Sequence, residues 1–93
     1  MTVGVLKIEL FISQSSSLKE KRMVLRSIKD RIKNKFNVSI AEVDAHDKWQ
    51  RATLGIACVG SDKKYVDGVF CAIRDLLDGC HAAELIASEM ELI

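Results

Sequence analysis

From residue 3 to residue 12, in VGVLKIELFI, side chains of two kinds take turns. Leu6, Ile8, Leu10 and Ile12 fall on one side; Val5, Lys7, Glu9 and Phe11 fall on the other. A period of two with one strongly apolar side predicts a strand. The polar stretch SQSSS follows as a loop, and S-L-K-E from Ser17 to Glu20 reads as a capping box. The helix it opens is predicted to run to about Phe36, with Leu18, Leu25, Ile28, Ile32 and Phe36 as its apolar stripe. Residues 37–45, NVSIAEVDA, predict a second strand, and residues 51–60, RATLGIACVG, a third with Leu54, Ile56 and Cys58 on one face. The short polar stretch between them predicts a hairpin. Asp62 is placed to cap a second helix with Val66, Val69, Phe70, Ile73 and Leu77 inward. Gly79 is placed to end it in the left-handed conformation helices often use there. Residues 83–92, AELIASEMEL, predict a fourth strand.

The order β-α-β-β-α-β most simply gives an α+β, ferredoxin-like sandwich. Its four-stranded antiparallel sheet carries two helices on one face. With 93 residues, no proline and no linker, a single domain over 1–93 is expected. The composition, 48% hydrophobic and 29% charged, is that of a folded rather than a disordered chain. No stretch is long enough for a membrane span. Lys7 and Glu9 interrupt the first apolar run, which is not the pattern of a signal peptide. The three cysteines, Cys58, Cys71 and Cys80, form no C-x-x-C pair. Cys58 and Cys71 sit in apolar runs, where a thiol acts as a small hydrophobe, so a reduced, cytoplasmic setting fits.

Charge changes this picture. The net charge is only +1, yet residues 18–35 hold eight cations, Lys19, Lys21, Arg22, Arg26, Lys29, Arg31, Lys33 and Lys35. Against Glu20 and Asp30 they give that segment +6 and leave −5 for the rest of the chain. At about 100° per residue, Arg22, Arg26, Lys29 and Lys33 share one flank of the stripe, with Lys19 at its edge. Cations in such a row can meet successive phosphates, the main source of nucleic-acid affinity. The same row also describes a solvated face whose long stems cover the core edge. The third strand has no aromatic residue, so base stacking on the central strands is not expected.

The hairpin stretch EVDAHDKWQRATLG, residues 42–55, gathers acids, His46 and Trp49. Asp44, His46 and Asp47 are of metal-binding type, but a closed zinc site typically wants four convergent groups, and His81 lies in another turn. Acid–base chemistry would also need a nucleophile or activated water and a way to stabilise charge. No nucleophile-elbow serine or phosphate-binding glycine loop is present. The expectation is therefore no enzyme, no cofactor and no metal, with Asp44, His46, Trp49 and Arg51 forming an interaction edge. Trp and Arg are enriched at interface hot spots. Val5, Phe11, Ala57 and Val59 would face away from the helices, and the second strand is a sheet edge, so a homodimer through the open face or that edge is the alternative reading.

SLKEKR at 17–22, NKFNVSIAEVD at 34–44 and WQRATLGIACV at 49–59, in that order and spacing, resemble the YlxP-like family of small bacterial proteins, a domain of unknown function. The resemblance runs from the first strand through the second helix. It implies a ferredoxin-like fold and a bacterial cytosolic protein. Family members are often encoded beside translation and ribosome-maturation factors, which implies association with the ribosome or with structured RNA. It carries over no catalytic residues. It marks Lys19, Lys21, Arg22, Asp44, Trp49, Gln50 and Arg51 as a candidate surface.

Overall fold

A computed structural model describes all of residues 1–93. Six elements follow in order: β1 (Thr2–Phe11), α1 (Leu18–Lys35), β2 (Ser39–Asp44), β3 (Arg51–Gly60), α2 (Lys63–Asp78) and β4 (Glu84–Leu92). The strands form one antiparallel sheet in the order β2-β3-β1-β4, so the fold is an α+β, ferredoxin-like sandwich. β1 and β3 pair along their whole lengths, Thr2 opposite Gly60 and Phe11 opposite Arg51. That register sets Leu6, Ile8 and Leu10 beside Ile56, Leu54 and Ala52 on the helix side. With Ile12, Ile40 and Cys58 they meet Leu25, Ile28 and Ile32 of α1 and Val66, Phe70, Ile73 and Leu77 of α2 in one buried core. Alternation along the strands thus chose the face, and the helical stripes chose what covers it.

Both helices begin on side-chain caps. Ser17 Oγ accepts from Glu20 N at 3.1 Å, and Asp62 Oδ1 accepts from Tyr65 N at 2.8 Å. The reciprocal half of the expected capping box is displaced by one residue. The Glu20 carboxylate accepts from Ser16 Oγ at 2.7 Å and from Ser16 N at 3.1 Å. These bonds, the hydroxyl's first, hold its pKa below the usual carboxylate range.

Two further expectations are corrected. Gly79 does not turn left-handed; its φ is −85° and its N–H continues the helical pattern to Asp75 O at 3.2 Å. The only positive φ in the chain belongs to Ala45, at 59°. Cys71 is exposed rather than packed, because it follows Phe70 by about 100° of helix and so turns off the buried stripe. Cys58 is buried, and the loss of water pushes its thiol pKa up.

Gly4 sets how closely α2 sits on the sheet. A Cβ there would lie 2.5 Å from Val66 Cγ1 and 2.9 Å from Phe70 Cε2. Both neighbours are fully buried, so neither has room to yield. Gly4→Ala should therefore destabilise the fold by about 1–3 kcal/mol through overpacking. Urea denaturation checks this, and wild-type stability in the variant would mean that α2 can shift.

A candidate nucleic-acid interface along the first helix

Lys21, in the first turn of α1, fills the gap that the apolar stripe leaves between Leu18 and Leu25. It stands four residues before Leu25 and seven before Ile28, on the same inward face. Its side chain is 1% exposed. Across from it, Ile40 and Glu42 alternate onto the inward face of β2, and Glu42 is 16% exposed. Lys21 Nζ lies 2.9 Å from Glu42 Oε2, 2.6 Å from Ala45 O and 3.5 Å from His46 O. The ammonium thereby donates to two carbonyls and pairs in charge with one carboxylate. Glu42 Oε2 is met off the line of a hydrogen bond, so it is the charge of Lys21 that compensates it. Lys21 was expected on the candidate surface, and the structure moves it to the interior.

The consequence is local. Ala45 turns left-handed and presents its carbonyl to Lys21, while Lys48 N donates to the same carbonyl at 3.1 Å. Asp44 Oδ1 accepts from Ala45 N at 2.8 Å. His46 Nε2 donates to Glu42 O at 3.1 Å. Beyond the turn, Gln50 Nε2 donates to Ser13 O at 2.9 Å and Ser15 O at 3.3 Å. Gln50 O accepts from Ile12 N at 2.8 Å. The hairpin tip is thus tied to α1 on one side and to the β1–α1 loop on the other. Asp44 and His46 are spent on backbone groups, and the structure does not bring Asp44, His46 and Asp47 together as a set of ligands.

With Lys21 turned inward, the remaining cations of α1 face outward. Arg22, Arg26, Lys29 and Lys33 line one groove of about 360 Å³ with Leu25, Asp30 and Glu42. This is the seam between α1 and β2. Four of the five cations expected to act together are therefore brought together; Lys19, exposed in the first turn, stands outside that lining. None of the four is in an ion pair, since the one ion pair of the protein is Lys21 with Glu42. Asp30 is the only carboxylate on the wall not already matched.

A second cleft, of about 250 Å³, is lined by Glu9, Ala45, Lys48, Arg51, Ala52 and Thr53. Lys21 joins the two, contacting Glu42 on the wall of the first and Ala45 on the wall of the second. Trp49, 55% exposed, lies between Lys48 and Arg51 in the chain. So the interface residues expected on the hairpin do surround its tip, and Lys48 joins them. A further cavity, of about 600 Å³, lies where α2 leads into β4. Asp78 and Glu84 on its wall make it a poor host for phosphate.

Comparison with known proteins agrees with the resemblance. Residues 3–90 match the family described as "Protein of unknown function (DUF503)". Over 61 residues the chain is 49% identical to the uncharacterized protein YlxP of Bacillus subtilis (strain 168). That match covers 66% of this chain and 66% of the relative's own length, just under two thirds.

Removing one member of the Lys21–Glu42 pair should be costly, because the other is left covered and unmatched. Lys21→Met should destabilise the protein by about 3 kcal/mol or more, and Lys21→Met with Glu42→Leu should recover much of that loss. A double-mutant cycle in urea measures the coupling; additive losses would show that the two charges do not support one another.

Proposed function

The chain belongs to the DUF503, YlxP-like family, whose function is unknown, and from that premise we propose that it is a cytoplasmic accessory factor that binds RNA, in the ribosome or on its own, through the α1–β2 groove and performs no chemistry on it. One observation carries the reading. Four cations, Arg22, Arg26, Lys29 and Lys33, line a single groove, and none has an ion-pair partner. A solvated helix face commonly balances such charges with acids three or four residues away. Here Asp30, four residues after Arg26 and three before Lys33, is the one such acid against four cations, and the buried pair below keeps Glu42 from neutralising them. Lys33 also suits the negative end of the helix dipole, so it contributes to the fold as well. Lys29 is half-buried and also covers the core edge, whereas Arg22 and Arg26 are exposed.

Each phosphate neutralised releases counterions, so binding through this groove should weaken steeply with salt. Four contacts correspond to about three decades of affinity per decade of salt. Co-sedimentation with ribosomes, and binding to purified RNA, should both fall at moderate salt. Reversing Arg22, Arg26 and Lys29 to Glu should abolish binding at low salt. Equal binding by the reversed protein would remove the groove as the site.

The β4 edge favours a second reading, a protein-interaction module. β4 is nine residues long against six for β2, and all of it except Leu85 is exposed. One side shows Met90 and Leu92, each 38% exposed, with Ile86 at 41% at the register shift; the other shows Glu84, Glu89 and Glu91. β2 was the edge expected to self-pair, but it is short and bulged between Glu42 and Asp44, both of which discourage pairing. If a second copy pairs along β4, sedimentation equilibrium should find a dimer that Met90→Asp dissociates. A monomer at every concentration would leave β4 to a different partner.

A further inference from the structure

Resting on the RNA reading above, we infer that the hairpin tip is a base-stacking station, at which Trp49 takes an unpaired base of an RNA strand whose phosphates lie along the α1–β2 groove. The class of ligand is therefore RNA with exposed bases, a loop or a single strand, rather than continuous duplex.

Three features place Trp49 for this. The first is the continuity of charge. The groove offers Arg22, Arg26, Lys29 and Lys33 against Asp30 and the paired Glu42; the cleft on the other side of the hairpin base offers Lys48 and Arg51 against Glu9. Beneath the surface, the buried Lys21 ties Glu42 of the groove to Ala45 of the cleft. A phosphate chain leaving the groove at Arg22 thus meets cations again on either side of Trp49 in the sequence.

The second is rigidity. Lys21 holds the carbonyls of Ala45 and His46, the Lys48 N–H closes the turn on Ala45 O, and Gln50 is fixed to Ser13 and Ser15. Trp49 sits between the closed turn and the anchored Gln50. An aromatic side chain presented on a backbone already held in place loses little freedom when it binds. The turn even tolerates a left-handed alanine at Ala45, a conformation that L residues rarely adopt.

The third is exposure. Trp49 is the only tryptophan, and 55% of it faces solvent, although the core lies at the base of the same hairpin. A positive groove that tracks the backbone, joined to an aromatic surface for the bases, is the general design for binding unpaired strands. Duplex RNA keeps its bases stacked and offers no free face to an indole.

The sole tryptophan reports on its own site. The probes are a single-stranded RNA of about twelve nucleotides, a duplex of the same length, and inorganic polyphosphate. Single-stranded RNA should quench Trp49 emission in the intact protein, while polyphosphate occupies the cations without quenching. Trp49→Ala should weaken single-strand binding about tenfold and leave duplex and polyphosphate binding unchanged. Trp49→Phe should retain most of the affinity, which separates stacking from damage to the hairpin. The inference is overturned if RNA binds in a way that Arg22, Arg26 and Lys29 reversal abolishes, yet emission does not change and Trp49→Ala binds within about twofold; the RNA reading would then stand without it. Absence of any salt-sensitive RNA binding would remove both. Loss of ribosome co-sedimentation in Trp49→Ala with unchanged RNA affinity would overturn it in favour of a protein contact at the tip.

Discussion

A lysine ammonium held beneath the hairpin is the constraint on which the rest of this surface depends. Lys21 takes an apolar position in α1, and its charge is matched by Glu42 from the edge strand and by two carbonyls of the turn. Burying both charges costs hydration, and a pair of packed apolar residues would often serve stability equally well. What apolar residues would not do is hold Ala45 and His46 by their carbonyl oxygens. The pair therefore fixes a geometry more than it adds stability. It ties the turn to α1, and it matches the charge of Glu42, the carboxylate of β2 that lines the groove with the cations of α1.

The strands and helices were legible because each rests on a local rule. Strict alternation in β1 has only one strand face to offer the core, and Ser17 and Asp62 cap the helices from their own loops. The cationic flank was legible for the same reason, since helical spacing alone aligns Arg22, Arg26, Lys29 and Lys33. The burial of Lys21 was less legible, although its spacing to Leu25, Ile28 and Ile32 marks it as inward. Residue type argued for solvent, and only a partner on another strand reverses that argument. Glu42 gave the matching signal, an acid two residues after Ile40 on an inward face, but pairing the two requires the crossover from α1 to β2. Gly79 and Ala45 fail in complementary ways. Glycine at a helix end permits a left-handed turn without requiring one, and alanine disfavours one without forbidding it.

The net charge of +1 conceals an arrangement in space. β2 and β4 are opposite edges of a sheet four strands wide, so three strand spacings, roughly 14 Å, separate them. α1 lays its free cations along the β2 edge, while β4 carries Glu84, Glu89 and Glu91 with no cation of its own. A polyanion attracted to the first edge is repelled by the second, at a separation that exceeds the screening length of physiological salt, about 8 Å. The two surfaces therefore act independently once a ligand is bound, but they orient the protein together as it approaches. The basic seam would turn toward a polyanion and the acidic strand away from it. A partner that pairs with β4 would then meet the protein on the side a polyanion leaves free, so the two proposed surfaces are different edges of one molecule and do not compete for the same residues.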